Sequence, residues 1–88
     1  MTVIEIIDQE CENIKGLLIE KNKKYGNSFQ RPLNVFSKLG PLEGVRVRLD
    51  DKLNRLYCGQ GDDEDTKLDL LGYLILERVL MRMERESI

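Results

Sequence analysis

The sequence predicts an all-α fold, and three observations carry the prediction. Apolar residues recur at alternating three- and four-residue steps, glycine and proline isolate those stretches, and mixed-charge ladders repeat at helical spacing. The expected architecture is three main helices plus one short helix in a single domain over residues 1–88. A chain of this length hides only about 60–65% of its unfolded surface when folded alone. Its helical hairpins are therefore expected to pack into a homo-oligomeric bundle.

The first helix should run from about Val3 to Lys24. Thr2 can cap it, with Glu5 placed three residues on as in a capping box. Ile4, Ile7, Cys11, Ile14 and Leu18 form a narrow seam suited to packing on another helix. Lys21, Lys23 and Lys24 crowd the last turn, where positive charge suits the dipole, and Gly26 is placed to end the helix. A loop from Tyr25 to Pro32 follows, then a short helix over Leu33–Leu39, stopped by Gly40-Pro41.

The second helix is expected over Leu42–Tyr57, with Leu42, Val45, Leu49, Leu53 and Leu56 as its apolar stripe. Cys58-Gly59-Gln60-Gly61 is a connection short enough to turn the third helix antiparallel. That helix begins near Asp62 and reaches Arg85, with Asp62, Asp63 and Glu64 suiting its first turn. Leu70, Leu74 and Met81 lie on a side other than the main apolar face, which in so short a chain points to a second subunit.

Composition excludes several classes of function. Fourteen basic residues against sixteen acidic ones, interspersed, give a net charge of −2 and no field to recruit nucleic acid. No run is apolar enough to span a membrane and no signal-peptide pattern opens the chain, so the expected location is the cytosol. With no histidine and no CxxC, neither a structural zinc site nor histidine acid–base chemistry is expected. Cys11 and Cys58 are expected as reduced, partly buried thiols. Neither they nor Ser28 and Ser37 have a histidine base, and no phosphate-cradling glycine loop precedes a helix.

Two charge ladders hold the chemistry. Arg48, Asp51, Lys52 and Arg55 share one face of the second helix, beside its apolar stripe; Asp65, Asp69 and Gly72 share a face of the third. An antiparallel hairpin sets Arg55 opposite Asp65, Asp51 and Lys52 opposite Asp69, and Arg48 opposite Gly72. Two readings follow for these residues. As an ordinary mixed-charge face, Asp51 and Arg55 form an i,i+4 pair worth roughly 0.2–0.5 kcal/mol, and Asp65 and Asp69 fix the hairpin register through Arg55 and Lys52. As a site, Arg48 and Arg55 grip phosphate oxygens, Lys52 supplies a point charge, and the aspartates bind a metal or a ribose. Gly72 is expected to permit close helix packing, and Tyr73 to sit in the core.

Three motifs, in order, resemble a family of short phage and prophage proteins, nucleotide modification associated domain 1. They are Lys21-Asn22-Lys23-Lys24-Tyr25-Gly26-Asn27-Ser28-Phe29, Arg48-x-x-Asp51-Lys52-x-x-Arg55 and Asp65-Thr66-x-x-Asp69-Leu70-x-x-Tyr73. The family is distantly similar to the all-α, MazG-type nucleoside triphosphate pyrophosphatases, which hold magnesium with carboxylates on helices. The resemblance implies a nucleotide-type ligand. Tyr25 or Phe29 would stack on a base, Asn27 and Ser28 would hydrogen-bond it, and Lys21 and Asn22 would reach the same pocket. Asp51, Asp65 and Asp69 would be the ligands of any magnesium ion.

The chain departs from that family at Gly61 and at Lys24, where carboxylates are usual, and both changes remove negative charge from a metal site. The expected function is accordingly a phage-encoded binder in the bacterial host cytosol. It would sequester a phosphorylated nucleotide such as a host defence signal. A magnesium-dependent nucleoside triphosphate pyrophosphatase is the alternative, and a helical adaptor with charge ladders used only for pairing is the third.

Overall fold

A computed structural model describes residues 1–59 and 64–86, apart from the side chains of 64 and 65. Gln60, Gly61, Asp62 and Asp63, named above for the turn and the start of the third helix, lie outside the described residues. Three helices form in chain order: α1 (Val3–Tyr25), α2 (Pro41–Tyr57) and α3 (Glu64–Arg85). There is no strand among the described residues. Among the described residues, no helix is long and apolar enough to cross a membrane.

The ends of α1 follow their local chemistry. The Thr2 hydroxyl accepts the Glu5 N–H at 3.1 Å, satisfying one of the orphan donors of the first turn. Gly26 closes the helix at φ 59°, ψ 50°, donating its N–H to the Asn22 carbonyl at 2.9 Å. Only glycine adopts that left-handed geometry without steric cost. Pro41 does not lie outside α2 but opens it as the first helical residue, where a missing N–H costs nothing.

The short helix expected over Leu33–Leu39 does not form. Asn34 sits at φ 55°, outside the right-handed helical region, and the Ser37 hydroxyl accepts the Leu39 N–H at 3.2 Å in a local turn. A seven-residue helix has too few backbone bonds to offset nucleation unless packing adds to them. Here nothing adds, because Leu33 and Phe36 are 91% and 98% exposed.

α2 and α3 form the principal hairpin. Val45 and Leu49 from α2 and Leu80 from α3 are buried, with Phe29, Leu42, Leu70 and Tyr73 packed around them. Leu53, expected in the stripe of α2, is exposed. Arg46 braces the hairpin, its Nε donating to Glu77 and its Nη1 to Glu43, both at 3.0 Å. Those two hydrogen bonds, Glu77 first, raise the guanidinium pKa.

α1 joins this hairpin only through α3. A Cβ built on Gly72 would stand 3.3 Å from Cδ2 of Leu18, so the glycine admits the leucine. No Cα of α1 comes within 8 Å of one in α2. The N-terminal part of the α1 seam is left in solvent, with Ile4 78% exposed and Ile7 also exposed. Both cysteines, expected partly buried, are exposed free thiols.

The result is an open molecule. Its radius of gyration is 14.6 Å, where a compact chain of this length has about 12 Å. The accessible surface is 7241 Å², whereas a folded monomer of this mass exposes about 5300 Å².

Candidate functional site

Because α1 and α2 both lean on α3 without meeting, a cavity of about 1250 Å³ opens between them, bounded on another side by the segment from residue 28 to 39. Ordinary small-molecule sites span roughly 300–1,000 Å³, so the space is ample for a nucleotide-sized ligand. Of the residues expected at a binding site, Lys21, Asn22, Tyr25, Ser28, Phe29 and Arg48 line it, as do Asp51 and Asp69. The structure thus brings α1, the loop and both ladders to one wall-and-floor arrangement.

Three expected residues do not line the cavity: Asn27, Lys52 and Arg55. Asn27 has a left-handed backbone at φ 61°, and its carbonyl accepts the N–H groups of Gln30 and Arg31 at 2.9 and 3.0 Å. It shapes the turn that carries Ser28 and Phe29. Lys52 and Arg55 instead pair with the lining carboxylates Asp69 and Asp51. The side chain of Asp65, expected opposite Arg55, lies outside the described residues.

Asp69 is the electrostatic junction of the fold. Its Oδ2 lies 3.4 Å from Nζ of Lys52 on α2, and its Oδ1 lies 3.6 Å from Nζ of Lys21 on α1. The Lys52 side chain is 13% exposed and that of Asp69 31%. Pairing at that burial matters more than at the surface, since an unpaired charge loses hydration without compensation. Asp51 is held within its own helix, its Oδ2 3.4 Å from Nη2 of Arg55.

Arg48 differs from the other basic residues of the site. Its guanidinium lies 6.0 Å from the ring centroid of Tyr73, a cation–π geometry that orients the group. Among the described residues, it is the cation lining the cavity that belongs to no ion pair, since Lys21 is engaged by Asp69. A planar, oriented guanidinium without a carboxylate partner is suited to bidentate capture of an anion.

The apolar remainder of the wall was not picked out from the sequence as part of a site. Leu33, Val35, Phe36 and Leu39 line the cavity from the loop, and Ile14 and Leu17 from α1. The signal was present in the cluster Leu33-x-Val35-Phe36-x-x-Leu39, four apolar residues in a short stretch, but helical spacing made them read as a short helix. A charged floor beside an apolar rim suits a ligand with an anionic end and a flat or greasy end.

For metal chemistry the arrangement offers little. No group of three or more His, Cys, Asp or Glu residues comes together among the described residues in a way that could hold an ion. Comparison of the chain with protein-family models, with curated proteins and with solved structures finds no match.

Proposed function

We propose that this protein binds a phosphorylated nucleotide, or a small molecule derived from one, and holds it without hydrolysing it. The observation that supports the reading is Arg48, a cavity-lining guanidinium set over Tyr73 and in no ion pair among the described residues. In this reading Arg48 takes the phosphate, and Lys21 adds charge from the other side when Asp69 shares it with Lys52. Tyr25 and Phe29 flank the base, with Asn22 and Ser28 as hydrogen-bonding groups. The resemblance of the three motifs to nucleotide modification associated domain 1 supplies the ligand class. Sequestration of a nucleotide signal in a phage-infected bacterial cytosol, by a homo-oligomer, is the role that fits such a binder.

The pyrophosphatase reading is weaker on electrostatic grounds. Magnesium needs carboxylate oxygens left available to it, and Asp51 and Asp69 are each already engaged by cations of the protein.

Thermal melting against nucleoside mono-, di- and triphosphates and cyclic dinucleotides, with and without magnesium, tests the proposal. A raised melting temperature in the absence of metal, with ligand recovered intact, is expected. Stabilisation that requires magnesium and ends in cleaved ligand would establish the enzyme instead. If no compound raises the melting temperature, binding in this cavity is refuted and the ladders serve helix pairing.

A further inference from the structure

The outward face of α3 is a second feature, independent of the cavity. Leu71, Leu74 and Ile75 project on it, as does Met81 seven residues past Leu74, and all four are between 39% and 48% exposed. Lys67, Arg78, Arg82 and Arg85 share the same face and are exposed. From Lys67 to Arg85 this face carries no acidic residue; Asp69, Glu77 and Glu84 all fall elsewhere on the wheel. Beyond it, Glu86 pairs with Arg82 at 2.9 Å, on the surface. Between Lys67 and Arg85 the stripe is thus apolar with basic residues only, of which Arg82 is paired.

The first half of α1 is its electrostatic opposite. Between Met1 and Ile14 there is no lysine or arginine, while Glu5, Asp8, Glu10 and Glu12 flank the seam of Ile4, Ile7 and Cys11. All of these residues are exposed. The α1 of the same chain does not cover the stripe. It meets α3 at Gly72, about 100° round the helix from Leu71. Among the described residues, the only ion pair joining α1 to α3 is Lys21 with Asp69.

We infer that the acidic, apolar first half of α1 docks on the basic, apolar stripe of α3 in a second copy of this chain. Repeated about a two-fold axis, the contact occurs twice and closes a dimer. Two like first halves of α1 set against each other would oppose acid to acid, which favours the α1–α3 pairing over an α1–α1 one. The area agrees. Two chains together expose roughly 3800 Å² more than two folded monomers of their mass, and obligate dimers bury about 2000–5000 Å² in total. The inference does not depend on what the cavity binds.

Charge reversal on each side, followed by mixing, tests the register. One variant carries Glu5→Lys, Asp8→Lys and Glu12→Lys; the other carries Arg78→Glu, Arg82→Glu and Arg85→Glu. Sedimentation should find wild-type dimers that weaken as salt rises, and each variant alone should dissociate at least about tenfold more readily. The two variants mixed in equal amounts should recover a dimer, because both contacts are again complementary. Circular dichroism establishes that each variant is folded, and Ile7→Glu gives the same readout should a triple variant unfold. A wild-type monomer at all concentrations would overturn the inference. So would variants that keep the wild-type mass on their own, or a mixture that stays monomeric.

Discussion

Nζ of Lys52 lies 3.4 Å from Oδ2 of Asp69, and the second oxygen of that carboxylate is engaged by Lys21, so one side chain joins all three helices. Asp69→Ala is expected to lower stability by about 1–2 kcal/mol, at the upper end for ion pairs because Lys52 is left mostly buried and unpaired. By contrast Lys15→Gln, which breaks an exposed pair with Glu12 at 3.8 Å, should change stability by less than about 0.5 kcal/mol. Urea denaturation with an unchanged m-value checks both. Equal effects from the two substitutions would remove Asp69 from its place as a junction.

Arg48 and Arg55 separate the site from its surroundings. Arg48→Ala should abolish ligand-induced stabilisation while leaving the unliganded melting temperature nearly unchanged, since the guanidinium is exposed and in no ion pair among the described residues. Arg48→Lys should retain charge but lose bidentate geometry, and so recover only part of the effect. Arg55→Ala acts only through Asp51, and a smaller loss is expected. Isothermal titration with a compound that stabilises the wild type ranks the three variants. An Arg55 effect equal to that of Arg48 would place the phosphate on the wrong side of Asp51.

Gly72 presents two opposing effects of known size. Alanine in a helix interior is favoured over glycine by roughly 0.5–1 kcal/mol, while its Cβ would meet the Leu18 methyl at 3.3 Å. The leucine end can yield by a few tenths of an ångström, so Gly72→Ala should be neutral or slightly stabilising. Gly72→Leu cannot be accommodated that way and should lever α1 from α3. Hydrogen exchange would then show lost protection in α1 with α2 and α3 retained.

Phe36 is a large aromatic residue that packs on almost nothing and yet lines the cavity. Phe36→Ala should alter stability by less than about 0.5 kcal/mol, as surface substitutions generally do. Its cost should appear in ligand affinity instead. A fall in melting temperature without ligand would show that the residue packs in the fold.

Much of the secondary structure was legible in the chain because its causes are local. Thr2, Gly26 and the periodic apolar residues act within one or two turns, and the three main helices and both ends of α1 follow from them. The pairing of Lys52 with Asp69 was legible for a related reason: a short connection and helical spacing leave few registers for a hairpin. The segment from Leu33 to Leu39 misled because its spacing permits a helix that packing does not reward, and spacing says nothing of packing.

The sequence by itself determined an all-helical chain, the two ladders and the residue types available to hold an anion. Tertiary structure alone decided that α1 rests on α3 at Gly72 with its backbone held away from α2, which opens the cavity. It also decided which cations are consumed by carboxylates and left Arg48 out of every described ion pair. Those outcomes depend on distances between residues far apart in the chain, and the relative placement of rigid helices is set by how side chains interlock where they cross.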